Sequence, residues 1–198
     1  IMAHLAQDEN MIEAFKSGKD IHQATAARIF NLPLDEVDAD MRRKAKTANF
    51  GIIYGISTFG LAERMNVSRT EAKNIIEEYF QKYAAIKKYM DKAIADAKEN
   101  LFVETVFHRK RYLPDVVSHN AVVRSYAERN AINAPIQGSA ADIIKVAMIN
   151  IYQRFKEENI RSQMILQVHD ELNFSVYPEE KEKVQRIVIE EMEKAYPM

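Results

Sequence analysis

The sequence has no cysteine. That excludes a disulfide scaffold, a thiolate metal centre and a cysteine nucleophile, and it leaves histidine and carboxylates as the only side chains able to hold a metal. No apolar run approaches the roughly 18 residues needed to span a bilayer, and no basic start followed by an apolar stretch marks a signal peptide. A soluble cytoplasmic protein with no membrane partner is therefore expected. Glycine and proline are few, five of each, and neither an internal repeat nor a low-complexity linker breaks the chain. The first residue is Ile1 rather than Met, which predicts a piece of a longer chain. What is present is an ordinary globular balance over 198 residues, 47% hydrophobic and 29% charged, enough for one domain or two subdomains.

The formal net charge of −1 conceals a zoned distribution. Residues 1–40 carry three basic against eight acidic side chains, residues 41–129 seventeen against ten, and residues 155–198 six against ten. A basic block between acidic flanks suits a phosphate-bearing partner held in one place, because positive charge concentrates a polyanion through counterion release. The lysines between positions 73 and 98 interleave with Glu77, Glu78, Asp91 and Asp96, and read as solvated helix faces.

Residues 7–31 read as helical with a break at Ser17-Gly18-Lys19, and Asp20 is positioned to cap a helix reaching Phe30. Residues 40–54 are helix-compatible, Gly55-Ile56-Ser57 punctuates them, and a short amphipathic stretch follows over 58–65. Ser68 with Glu71 forms a capping box that opens a long helix, whose Ile75, Ile76, Tyr79, Phe80, Tyr83, Ile86 and Met90 recur at core spacing. Residues 103–113 resemble a hairpin with the basic tip His108-Arg109-Lys110-Arg111. Helices are expected over 120–133 and 136–158, separated at Ala134-Pro135, since the residue before proline disfavours the α region. Met164-Leu166-Val168 and Leu172-Phe174-Val176 alternate as half-buried strands do. An acidic helix closes the chain over 178–196.

Two constellations could carry chemistry. Arg42, Lys46, Phe50 and Tyr54 follow one another at four-residue spacing, which on a helix makes one slowly drifting stripe. Its cations could grip phosphates and its rings could stack on a base or sugar. Gly51 and Gly55 beside the aromatic end would let a flat ligand or a backbone approach. Spacing alone leaves open a reading with Phe50 and Tyr54 in the core and the cations on the surface. The second constellation is His169-Asp170-Glu171 between two strand patterns. Buried there without partners, the charges would cost several kcal/mol, so a turn, a metal or a counter-charge is required. A hairpin tip would suit Mg²⁺, held by one or two carboxylates and substrate phosphates, although a solvated turn fits as well. His22 and Gln137, each taken singly, say little.

At these residues a resemblance enters. Arg42-Arg43-Lys44-Ala45-Lys46-Thr47-Ala48-Asn49-Phe50-Gly51-Ile52-Ile53-Tyr54-Gly55 is similar to the finger-helix motif of A-family DNA polymerases. Gln167-Val168-His169-Asp170-Glu171 resembles that family's second palm motif, and residues 127–138 resemble the stretch between them. The resemblance implies that Arg42, Lys46 and His22 bind the phosphates of an incoming dNTP. Phe50 would pack on its sugar and base, disfavouring a dideoxy sugar relative to a tyrosine, and Tyr54 would stack at the templating position. Asp170 would hold catalytic Mg²⁺, Glu171 would support it, and His169 would contact the primer end. Arg129, Asn133 and Gln137 would read the minor groove of primer-template DNA, where acceptors sit alike in every Watson–Crick pair.

The implied fold is α+β: a mostly helical fingers subdomain over 1–117, residues 1–6 continuing from the palm, then a partial palm over 118–198 with a small antiparallel sheet. The implied activity is template-directed nucleotidyl transfer from dNTP to a primer 3′-hydroxyl with two Mg²⁺ ions, the ridge and the acidic tip serving one cleft. The family's other metal-binding Asp would precede Ile1, so the chain alone is expected to be inactive. No oligomer is expected beyond contacts through the open palm-sheet edge. Two other readings are a catalytically dead nucleic-acid-binding module and a helical protein-interaction domain.

Overall fold

Short acceptor side chains open most of the helices. In the computed structural model, which describes residues 1–18 and 20–198, Asp8, Asp20, Asp38, Ser57 and Ser68 each accept a hydrogen bond from a backbone N–H of the first turn that has no intrahelical partner. They start α2 (Glu9–Lys16), α3 (Ile21–Ile29), α4 (Ala39–Ile53), α5 (Thr58–Met65) and α6 (Arg69–Lys82), after a short α1 (Met2–Ala6). The Asp20 cap and the Ser68–Glu71 capping box are as the sequence predicts. Lys19, in the expected break, lies outside the described residues.

The long helix expected after Ser68 is in fact two. Tyr83, at φ −117° and ψ 61°, separates α6 from α7 (Ala84–Asn100). Asn10 Nδ2 donates to Lys82 O at 3.0 Å, satisfying a carbonyl at the break, and the Tyr83 ring is 1% exposed beside Tyr79, 5.0 Å away. The apolar stripe is nonetheless core: Tyr79, Tyr83, Ile86 and Met90 pack with Ile52, Ile132 and Ile136, and Ile75, Ile76 and Phe80 lie against them. The flanking lysines pair along their own helices, Lys73 with Glu77, Lys87 with Asp91 and Lys92 with Asp96, as solvated faces do.

The hairpin is shifted from its expected place. β1 (Phe102–Glu104) pairs antiparallel with β2 (Lys110–Tyr112), so Lys110 and Arg111 stand in a strand opposite Glu104 and Val103, and the turn is 105–109. A second correction concerns Pro135. Instead of two helices, α8 (Ala121–Glu157) runs unbroken through it. Proline removes one N–H and crowds a carbonyl, at about 3 kcal/mol. Here Pro135 is buried with Ala131, Ile132 and Ile136 around it, so tertiary packing overrides the local rule.

The chain divides into two compact units, Ile1–Glu104 with Lys110–Ile136, and Thr105–Arg109 with Gln137–Met198. In the second, β3 (Gln163–Val168) and β4 (Glu171–Ser175) form an antiparallel hairpin, followed by α9 (Lys181–Lys194). Leu172 and Phe174 pack on Ile151, Phe155, Val184 and Ile187. Met164 pairs with Phe174 on that inner face, but a bulge at Ile165 shifts the register, so that Leu166 faces Asn173 and Val168 faces Glu171. The expected half-buried alternation of β3 therefore fails beyond the bulge: Leu166 is 56% and Val168 42% exposed. Helices with two small antiparallel sheets make the chain α+β. Among the described residues no helix is long and apolar enough to cross a membrane.

Candidate active site

In the first unit the site is built on α3 and α4. The backbone of α4 buries Ala45, Ala48, Asn49 and Ile52, and this turns the other side of the helix outward. Phe50 is 44% exposed, which excludes the core reading of that ring. Lys46 Nζ lies 5.9 Å from the Phe50 centroid, within cation–π range. Phe50 and Tyr54 stack at 6.3 Å with 19° between their planes, and the His22 ring tilts against Phe50 at 5.6 Å. Thus Lys46, Phe50, Tyr54 and His22 form one cationic and aromatic ridge.

Cavities lie beside the ridge. A cleft of about 990 Å³ is lined by Lys46, Phe50, Tyr54 and Arg129, among others. A pocket of about 480 Å³ is lined by His22, Asn49, Phe50 and Tyr54 together with Ile1 and Met2. Both sizes suit a small-molecule ligand. Gly51 and Gly55 are explained from within the chain. A Cβ on Gly51 would stand 3.2 Å from the Ile56 side chain, and Gly55 adopts φ +72° beneath Arg129.

Arg42 is engaged elsewhere than on the rings: its Nε donates to Asp20 Oδ2 at 2.6 Å. Partial burial pushes the Asp20 carboxyl up. The hydrogen bonds from Arg42 and from the Gln23 and His22 backbone N–H groups outweigh this and hold it below the usual carboxylate range. Burial pushes the His22 imidazole down, the Asp20 carboxylate opposes this, and Arg42 and Lys46 reinforce it. The ridge therefore presents the Lys46 side chain and a histidine biased to neutrality, with Arg42 held by Asp20 beside them.

Arg129 and Asn133 lie one turn apart on α8. Arg129 is exposed, its Nη1 donates to Ser125 Oγ at 3.0 Å, and it flanks the larger cleft. Asn133 is half-buried, with Oδ1 unpartnered among the described residues. Gln137, next at the same sequence spacing, is exposed in the second unit.

In the second unit His169 and Asp170 form the two-residue turn between β3 and β4, with Glu171 opening β4. All three are exposed. His169 adopts φ +52°, a region that favours glycine, and Gln167 Nε2 donates to its carbonyl at 2.9 Å. The turn lacks the residues that ordinarily make a hairpin cheap. Its donors are carboxylate oxygens, the kind that hard Mg²⁺ prefers. Among the described residues no group of three histidines or carboxylates could hold a metal, and Asp170 with Glu171 would need further oxygen ligands to do so.

Sequence reasoning missed the Asp20–Arg42 pair, twenty-two positions apart, and Asn49, whose Nδ2 lies 2.9 Å from His22 Nδ1. A polar, weakly helix-forming residue on the buried face of α4 was the available signal for Asn49.

All 198 residues match the model of DNA polymerase family A, and the chain belongs to that family. It is 52% identical over 195 residues to DNA polymerase I of Geobacillus stearothermophilus and 47% identical over 195 residues to that of Bacillus subtilis (strain 168). Each alignment covers 98% of this chain and 22% of the relative. A solved structure, the POL domain of Pol1 from M. smegmatis in complex with DNA primer-template and dNTP, superposes with a TM-score of 0.95 at 46% identity. That match covers 100% of this chain and 35% of the other.

Proposed function

We propose that the chain is the nucleotide-gripping portion, with part of the catalytic portion, of a template-directed DNA polymerase acting on chromosomal DNA in the cytoplasm. The carrying observation is the ridge of Lys46, Phe50, Tyr54 and His22 beside cavities of ligand size. Arg42 and Lys46 neutralise the triphosphate of an incoming dNTP, and His22 donates a hydrogen bond to it. Phe50 packs on the sugar and base and Tyr54 stacks at the templating position, so that α4 recognises a nucleoside triphosphate along its length. Arg129, Asn133 and Gln137 face the minor groove of primer-template DNA, testing pair shape through acceptors common to all correct pairs, and His169 orients the primer end. Residues 1–117 act as fingers and 118–198 as part of the palm.

Asp170, supported by Glu171, would hold Mg²⁺. When bound, the metal, two ions expected in the complete enzyme, would supply charge stabilisation for the primer hydroxyl and the departing pyrophosphate. The chain's own contribution is to hold the triphosphate, exclude misaligned pairs and keep a carboxylate at an exposed turn.

The test is Asp170→Asn in the complete protein. Primer extension is abolished while primer-template affinity, which rests on other residues, is largely kept. Normal turnover by that variant would remove Asp170 from the metal role.

A further inference from the structure

Asn49 lies inside α4, one residue before Phe50, on the face that carries buried Ala45, Ala48 and Ile52. An amide is a poor helix former and costly to bury, yet Asn49 is only 3% exposed. Its Nδ2 is 2.9 Å from His22 Nδ1, and its Oδ1 has no partner among the described residues. The two ends of this amide are not equivalent: the amino group only donates and the carbonyl only accepts. A buried carbonyl left alone is better tolerated than a buried N–H left alone, so the favoured orientation has Nδ2 donating to the ring. His22 Nδ1 then carries a lone pair, and the proton of the neutral imidazole sits on Nε2. Burial, with Arg42 and Lys46 nearby, keeps that neutral form dominant near neutral pH.

We propose that Asn49 is a positioning residue that fixes His22 as the Nε2–H tautomer, so that the ring offers a neutral hydrogen-bond donor to a phosphate oxygen in the pocket beside Phe50. This rests on the reading of His22 as a triphosphate ligand. The opposite tautomer would turn a lone pair towards an anion. A neutral donor also adds a directed bond where Arg42 and Lys46 already supply the charge.

The experiment is nitrogen NMR of the histidine-labelled complete protein, without ligand and then with a deoxynucleoside triphosphate. The wild-type spectrum shows His22 protonated on Nε2. In Asn49→Asp the carboxylate draws a proton to Nδ1 and raises the ring's pKa, against an unchanged background of Asp20 capping α3 and of Arg42 and Lys46 on α4. A wild-type ring protonated on Nδ1 overturns the inference whatever the nucleotide does, and needs no variant to fold. So does a variant ring that keeps its tautomer and pKa. Added triphosphate shifts His22 Nε2 in the wild type, and Asn49→Leu weakens binding several-fold, up to about tenfold. Unchanged affinity in Asn49→Leu overturns the positioning role. An intact Nε2–H tautomer that ignores the nucleotide overturns the ligand assignment, and with it the triphosphate site.

Discussion

Arg42 faces two kinds of anion: the Asp20 carboxylate it already holds at 2.6 Å, and any phosphate that reaches the ridge. Asp20 does two jobs at once, capping α3 through the N–H groups of His22 and Gln23 and fixing the Arg42 guanidinium. Its carboxyl is held below the usual range, so it binds fewer protons folded than unfolded. The stability it contributes is fully present above the ordinary carboxylate pKa and is lost as pH falls through the depressed folded value. Asp20→Asn keeps a good cap but removes this linkage. The variant's acid unfolding curve is therefore flatter than the wild type's, and two superimposable acid limbs would contradict the assignment. The cap was legible in the sequence, because capping is local. The pairing with Arg42 was not, because spacing within one helix says nothing about which neighbour it meets. The same limit hid Asn49, whose partner lies on α3.

At the scale of elements, local rules erred where packing was strongest. Pro135 predicted a break, yet α8 continues, because buried neighbours on both sides offset one lost hydrogen bond. Alternation predicted that Leu166 and Val168 would share the inner face with Met164, but the bulge at Ile165 sends them outward, and a bulge leaves no trace in a hydrophobic pattern. The 105–109 turn is a further case. Its Val106 N–H donates to Ser139 Oγ at 2.9 Å, and Arg109 Nε and Nη2 both reach Asp142, each at 2.9 Å. Gly138 permits this approach, since a Cβ there would stand 2.7 Å from Thr105 Cγ2. In Gly138→Ala, overpacking of about 1–3 kcal/mol outweighs a helix-propensity gain of about 1 kcal/mol. A net loss near 1 kcal/mol is expected in urea denaturation. Adding Thr105→Ser deletes the clashing methyl, keeps the hydroxyl and restores stability. A double variant no better than Gly138→Ala alone would show that the methyl is not the obstacle.

For the second unit, Glu180 is the corresponding fixed point. Its carboxylate accepts from the Arg161 and Ser162 backbone N–H groups and from Ser162 Oγ, and these bonds hold its pKa down at about 2. Its contribution to stability is therefore fully present above the ordinary carboxylate pKa and is lost progressively as pH falls from there through about 2. In Glu180→Gln, thermal denaturation near pH 4 should come at lower temperature than in the wild type. Equal midpoints would deny the carboxylate that role.

On the scale of the whole molecule, charge zoning and the order of three motifs were legible from end to end, and the family assignment over residues 1–198 agrees with them. What composition could not show was the donor set at Asp170. Two adjacent carboxylates at an exposed turn, with no third histidine or carboxylate grouped with them among the described residues, are too few oxygen donors to hold a metal by themselves. The 198-residue chain by itself is accordingly expected to give no primer extension above a no-enzyme control, and clear extension by it would refute that. The chain spans 22% of the relatives' length, so the proposed nucleotide role of the ridge is best tested in the complete protein. The decisive quantity is the dissociation constant of a correct dNTP from the complete protein bound to primer-template, in wild type and in Lys46→Ala. Loss of a charge-assisted contact predicts weakening of about tenfold or more, with primer-template affinity little changed. An unaltered dNTP constant would mean that the ridge does not grip the triphosphate.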